Sequence, residues 1–287
     1  MFFVRDKGQM CNNLLQFAHV YAWARENHRR CMSMRFAYKY PYFYISSTPH
    51  HNWFCYLAGK YAARLRLIPV VSYNSFDEDT AAKERQLLQA RHAVVEGWGV
   101  RHFDLFLKYL PDICRLFAFR PDICRHIHTY MQEQSAGESC INIGIHVRRG
   151  DYRTWCNGKF FFTDDEFIAY LHRTLQQLAP RRCCIYVCGN AAVNQNLFRS
   201  RLASRPGVSL HFPQGNPGED LCLLSQCDYL LGPLSSFTLV ASMYGKARLY
   251  WMYSHDTAAT PIDFQPFAVR LPQLDTLWLD VYHGTVI

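Results

Sequence analysis

Ile141-Asn142-Ile143-Gly144-Ile145-His146-Val147-Arg148-Arg149-Gly150-Asp151-Tyr152 is the stretch that decides the fold. An alternating apolar run ends abruptly in His146, Arg148, Arg149 and Asp151. The pattern is that of a buried strand delivering charge to its carboxyl end. In open α/β sheets ligands sit just outside the carboxyl ends of the strands. Two adjacent guanidinium forks at that edge suit a multiply charged anion, since each can bind phosphate or carboxylate bidentately. The plainer alternative is a salt bridge at a strand end.

Outward from this stretch the chain alternates regularly. Strands are expected over 141–146, 183–188, 208–212, 227–231 and 247–252, with helices over 164–178, 191–204, 219–226 and 235–245 between them. Such alternation predicts a parallel, doubly wound sheet. The first of these helices has a capping box, Thr163-x-x-Glu166, and an apolar face of Phe167, Ile168, Leu171, Leu175 and Leu178. The tail 253–287 lacks clear periodicity and is expected to pack back across the domains.

The first half opens with a strand over 1–4, a turn carrying Gly8, and a helix over 12–27 with Asn12 as its N-cap. Further strands are expected at 31–36, 68–72 and 93–96, and a short helix at 101–110. Residues 76–86 read as loop or exposed helix start. Pro-Asp-Ile-Cys-Arg occurs at 111–115 and again at 121–125. Each copy reads as a helix start, with proline in the first turn and aspartate complementing the dipole. Residues 134–138 form the best linker. The fold class is therefore α/β: a first domain over 1–134 and a second over 135–287, both Rossmann-like, with a cleft between them as the default ligand site.

Composition bounds the function. At 287 residues the chain can bury two cores. A net charge of +8 fits an acidic small ligand, an anionic membrane surface or nucleic acid about equally. No basic run or recognised module supports nucleic acid as a partner. The twelve cysteines show no Cys-x-x-Cys pair and no zinc spacing, so they read as free thiols in a reducing compartment, without metal. The start is too short and too soon charged for a signal peptide, and no run of eighteen apolar residues occurs. The expectation is a cytoplasmic protein, with peripheral membrane association through basic or aromatic surface left open.

A second stretch runs from Cys227 through Gly232, Ser235 and Ser236 to Phe237. A strand ends there and a helix begins, so hydroxyls and free N–H groups offer a phosphate seat; a plain serine N-cap is the alternative. In a doubly wound sheet this turn opens at the same edge as Arg148 and Arg149. Gly189-Asn190, after another strand, shares that edge and could reach a base or ribose. No P-loop, dinucleotide fingerprint, nucleophile elbow or zincin helix occurs.

His146 to Tyr152 resembles the His-x-Arg-Arg-x-Asp-Tyr motif of α-1,2-fucosyltransferases, with related forms in the α-1,6- and protein O-fucosyltransferases. Three other stretches are similar to that family in the same order: Gly8 to Ala18, Glu96-Gly97-Trp98 with Phe103, and Cys227-Asp228 to Phe237. The resemblance implies a GT-B architecture and metal-independent, inverting transfer of fucose from GDP-fucose, without cofactor, to an oligosaccharide or glycoconjugate hydroxyl. It implies that Arg148 or Arg149 binds the β-phosphate and that Ser235, Ser236 and Phe237 line the diphosphate and fucose. It further implies that His146 contacts the nucleotide or braces the loop, and that Asn12 approaches the donor from the first domain.

Asp151 is a candidate base for the acceptor or a strut for the arginines, and Asp6 is a lesser candidate base. Two departures stand out. Cys11 replaces a family glycine, and residues 153–162 lack the glutamate base of the α-1,6 relatives. A transferase using another nucleotide sugar remains the alternative, as does a non-catalytic binding protein. For the latter, Arg149-Gly150-Asp151 spells an adhesion tripeptide but follows a buried strand.

Overall fold

A computed structural model describes residues 1–74, 80–178, 181–202, 205–258 and 261–282. The chain forms two compact units, Met1–Arg120 and Pro121–Ile287.

The first unit runs β1 (Phe2–Arg5), α1 (Met10–Glu26), β2 (Cys31–Ser33), α2 (Trp53–Arg64), β3 (Val70–Ser72), α3 (Thr80–Gln89), β4 (Ala93–Glu96), α4 (Phe103–Lys108) and α5 (Leu110–Leu116). Its sheet is parallel with order β2-β1-β4-β3. The order reverses between β1 and β4, whose carboxyl ends meet in register at Arg5 and Glu96. Two glycine turns leave that point. Gly8 has φ +91°, and a Cβ there would lie 3.3 Å from the Trp98 ring; Gly97 has φ +106°. Helix α1 is buried almost all round, because leucine, phenylalanine and alanine occupy every face.

Three expectations need correction here. Helix α1 starts at Met10 with Gln9 as N-cap, so Asn12 sits inside its first turn. Residues 34–36 leave the strand, because Ser33 Oγ accepts the Phe36 N–H and closes a turn. Helix α2 falls where no helix is expected. Its apolar residues face outward, so they do not mark a core face.

The second unit runs α6 (Pro121–Gln134), β5 (Ile141–Val147), α7 (Asp164–Leu178), β6 (Cys183–Gly189), α8 (Gln195–Leu202), β7 (Val208–His211), α9 (Pro217–Ser225), β8 (Tyr229–Pro233), α10 (Ser236–Ser242), β9 (Arg248–Met252) and α11 (Phe267–Tyr282). The parallel sheet has order β7-β6-β5-β8-β9, so β5 is central and the topology switches between β5 and β8. The opening stretch is thus the middle of the sheet. Ile143, Ile145 and Val147 point into one core with Phe162, Phe167 and Leu171. Gly144 is on the other face, where a Cβ would come within 2.5 Å of Leu224. Glycine there lets α9 lie close against the strand.

The division falls at 120/121, not at the expected 134/135. Ile123, Ile127 and Met131 form a buried stripe on α6 that packs against α9, so this helix belongs to the second unit. Residues 134–138 are the turn from α6 into β5, with Ala136 and Gly137 at positive φ. Within the tail, residues 267–282 form a helix despite Pro272, packed on α10 and β9 of its own unit. Buried Arg270 fixes it by donating to the Leu249 and Asp263 carbonyls at 3.1 and 2.7 Å. Of the expected helix over 191–204, residues 195–202 are helical and 203–204 lie outside the described residues, as do 76–79 of the expected 76–86 loop or helix start. No helix among the described residues is long and apolar enough to cross a membrane.

A Cβ on Gly97 would fall 2.0 Å from the Tyr73 carbonyl oxygen at a left-handed φ. Gly97→Ala is expected to lower unfolding stability by about 2–4 kcal/mol. Gly137→Ala, at φ +72° with open space around it, is expected to cost only about 1 kcal/mol. Urea titration of both variants checks the contrast.

Candidate active site

Strand alternation sends His146 to the α10 face of the sheet. Its ring stacks on Phe237 at 4.6 Å and 11°. It is 5% exposed and its Nδ1 has no hydrogen-bond partner. Burial, with the nearby Arg148 charge, pushes its pKa down to about 3, so the imidazole is neutral at physiological pH.

Beyond Val147 the two arginines part company. Every nitrogen of the Arg149 guanidinium is taken. Nε donates to Phe162 O at 2.8 Å, Nη1 to Ala192 O at 3.4 Å and Nη2 to Asp164 Oδ1 at 2.5 Å. The other Asp164 oxygen accepts the Asn194 N–H at 2.8 Å. Phe161 and Phe167 rings flank the guanidinium. The arrangement joins the β5 loop to the approaches of α7 and α8. Arg148 is differently placed. Its Nη2 pairs with exposed Asp151 at 2.8 Å, its Nε is buried without a partner, and its Cζ lies 4.8 Å over the Tyr152 ring. The expected pair of forks is therefore one available cation and one fully hydrogen-bonded anchor.

Tyr152 ties this loop to the β8 turn. Its buried hydroxyl donates to the Leu234 carbonyl, and burial raises its pKa. One residue on, Ser235 is the N-cap of α10, and its hydroxyl accepts the Phe237 N–H at 3.1 Å. The Ser236 hydroxyl has no protein partner among the described residues. Phe237 is half-buried beneath His146. The two turns thus share one edge, at the topological switch.

Asn190 braces this edge. Its Oδ1 accepts the Arg149 N–H at 3.0 Å, and its own N–H donates to Val147 O at 3.0 Å. A Cβ on Gly189 would collide with that carbonyl, and one on Gly150 would come 3.0 Å from Asn190 Nδ2. Beside them lies a cavity of about 590 Å³, lined by Val147, Gly189, Asn190, Phe212, Gly215 and Asp220 among others. Asp220 is a residue of this cavity that sequence reasoning missed. Its carboxylate has no hydrogen-bond partner among the described residues, and burial with the neighbouring Glu219 charge raises its pKa to about 7. The signal was masked, since a carboxylate in a helix's first turn reads as a dipole complement. The capping box Asn216-x-x-Glu219 marked that helix start.

In the first unit Asn12 lies beside the Gly8 turn, with Nδ2 3.0 Å from the position of a Gly8 Cβ. Asp6, after β1, is 3% exposed. Its Oδ2 accepts from Ser33 Oγ at 2.6 Å, while Oδ1 has no partner. Burial lifts its pKa to about 7. It lines a cavity of about 500 Å³ with Arg5, Arg35, Tyr38, Tyr56 and Lys60. Among the described residues no group of His, Cys, Asp or Glu is placed to hold a metal ion.

No protein-family model matches the chain. Galactoside 2-alpha-L-fucosyltransferase Sec1 of Mus musculus is 23% identical over 293 residues, 95% of this chain and 73% of the mouse protein. Galactoside alpha-(1,2)-fucosyltransferase 2 of Rattus norvegicus is 23% identical over 302 residues, 95% of this chain and 75% of the rat protein. Among solved structures, a mutant of Arabidopsis thaliana FUT1 in complex with GDP superposes with a TM-score of 0.59 at 14% identity, covering 90% of this chain and 72% of that one. POFUT1 in complex with GDP-fucose gives 0.55 at 10% identity, covering 88% and 97%. NodZ alpha-1,6-fucosyltransferase soaked with GDP-fucose gives 0.52 at 13%, covering 92% and 99%. The chain has the two-Rossmann, GT-B-like fold of these fucosyltransferases, and its sequence resembles that of the galactoside α-1,2-fucosyltransferases.

Proposed function

We propose that the protein is a metal-independent, inverting fucosyltransferase that moves L-fucose from GDP-fucose to a sugar hydroxyl, in α-1,2 linkage. The observation that carries this reading is the joining of the Arg148 loop and the Ser235–Ser236 turn through Tyr152 at the switch between β5 and β8. The similarity to galactoside α-1,2-fucosyltransferases supports the donor and the linkage.

In this reading the acceptor oxygen attacks the fucose anomeric carbon as its bond to the β-phosphate oxygen breaks. Negative charge builds on the leaving diphosphate. Arg148, with its buried unpaired Nε, and the free Ser236 hydroxyl stabilise that charge. Arg149 is a positioning residue that holds the loop. Asp151 orients Arg148, and His146 is a neutral brace stacked on Phe237. Gly189 and Asn190 border the nucleoside cavity. Asp220 accepts from the guanine N1–H and amino group, the chemistry a partnerless, half-buried carboxylate suits. Asp6, whose pKa of about 7 matches a general base, is chemically fitter for the acceptor proton than Asp151, already engaged with Arg148. The domain roles follow: donor nucleotide on the second unit, acceptor on the first. The acceptor is an oligosaccharide or glycoconjugate. A cytoplasmic location, peripheral to a membrane, completes the reading.

Arg148→Ala is expected to stay folded and lose about 10²–10³ in kcat/KM with GDP-fucose. Arg149→Ala is expected to lose about 2–4 kcal/mol of stability, because Asp164 is left without its partner. Transfer by the wild type should persist in EDTA. Full activity of both variants, or better turnover of GDP-mannose or a UDP-sugar, would overturn the assignment.

Asp220 gives a pH signature. A carboxylate accepts guanine's donors only when ionised, and its pKa is raised to about 7. Affinity for GDP should therefore climb as pH rises from about 6 to 8 and then level off. Asp220→Asn should weaken GDP binding by about ten- to hundredfold and flatten that rise; calorimetry across pH measures both.

A further inference from the structure

Residues 27–76 are fifty in number and contain no aspartate or glutamate. They contain seven basic residues: Arg29, Arg30, Arg35, Lys39, Lys60, Arg64 and Arg66. This one segment therefore carries +7, against +8 for the whole chain. Helix α2 lies within it. The helix buries only Gly59, seated on the Phe3 ring, where a Cβ would stand 2.4 Å away.

The remainder of α2 is inverted relative to an ordinary surface helix. At 100° per residue, Trp53, Leu57, Tyr61, Phe54, Leu65 and Ala58 fall within one arc of about 140°, which only Arg64 interrupts, near its Trp53 edge. That arc faces solvent. Phe54 is 81% exposed, Leu65 66% and Trp53 58%, and Leu67 just beyond is 73% exposed. Single exposed leucines need no explanation, but a contiguous apolar arc does. Lys60 borders the arc beside Trp53, and Arg64 lies just inside that edge. The Lys60 ammonium lies 5.7 and 5.8 Å from the Tyr56 and Tyr61 rings. None of Lys60, Arg64 and Arg66 pairs with a carboxylate among the described residues. Tyr38 stacks on Trp53 at 5.2 Å and extends the aromatic surface.

We propose that α2 and the following turn dock on an anionic phospholipid surface. Phe54, Leu57, Tyr61, Leu65 and Leu67 face the acyl boundary, Trp53 at the edge of the arc sits at headgroup depth, and Lys60, Arg64 and Arg66 meet lipid phosphates. Charge complementarity selects this occupant. A second copy of the same face would oppose two carboxylate-free, strongly cationic segments, which is repulsive. The inference stands on this surface alone and does not depend on the transferase reading.

Co-sedimentation of the full chain with vesicles tests it. Phosphatidylcholine mixed with phosphatidylglycerol should bind at least about tenfold more tightly than phosphatidylcholine alone, and added salt should weaken that binding. Replacing Lys60 and Arg64 together by glutamine should cost about thirtyfold. Phe54→Ser and Trp53→Ser should each cost about tenfold. In the wild type, brominated acyl chains should quench tryptophan emission, a readout that needs no variant. Equal binding to neutral vesicles, absence of quenching, or full binding by the serine variants would overturn the proposal. So would concentration-dependent self-association without vesicles that the same substitutions abolish.

Discussion

The hydrogen bond from the Tyr152 hydroxyl to the Leu234 carbonyl is the constraint on which the second unit's site depends. Loops after β5 and β8 are far apart in sequence and would each sample many conformations alone. A buried phenol with its proton held by a backbone oxygen cannot give up that contact without leaving two polar groups unsatisfied. Tyr152 also puts its ring face under Arg148, so the same side chain that joins the loops holds the cation in place. Arg149 and Asn190 fix the other side of the loop through Asp164 and the Val147 carbonyl. Rigid support of this kind is what lets a single arginine face an anion in a fixed direction.

The sequence made the second unit's frame legible because its strands are buried on both faces and its helices carry one apolar face each. Helix α7 falls where expected because its cap and its stripe agree. Three features stayed hidden for physical reasons. Helix α2 has its apolar residues outside, so periodicity does not point inward. The α6 boundary was disguised by a glycine-bearing turn that looks like a linker, whereas packing, not turn composition, decides domain membership. The division of labour between Arg148 and Arg149 depends on Asp164 and Phe162, more than ten residues away, and nothing in an Arg-Arg pair distinguishes the two.

The two raised carboxylates illustrate the same limit. Asp6 and Asp220 each look like ordinary local features, one after a strand and one in a helix's first turn. Only the fold shows that each lacks a full set of partners and is lifted to about 7 by burial. A carboxylate kept so close to its protonation midpoint carries an energetic penalty when ionised at neutral pH. For Asp6 the folded pKa lies above the unfolded one. Its contribution to stability is therefore complete below about pH 4 and lost as pH rises through 7. A protein retains such a group at a stability disadvantage, which fits chemistry better than architecture.

The repeated pentapeptide Pro-Asp-Ile-Cys-Arg ends with one copy in each unit. The first sits in the last helix of one fold and the second opens the other. Identical local code therefore serves as a terminus and as a beginning, and only what Ile113 or Ile123 finds to pack against separates the two. A chain shortened to start after the apparent linker would lack α6 and uncover the apolar groove on α9 that its Ile123–Ile127–Met131 stripe fills. The independent folding unit is thus longer at its amino end than the strand-helix rhythm suggests.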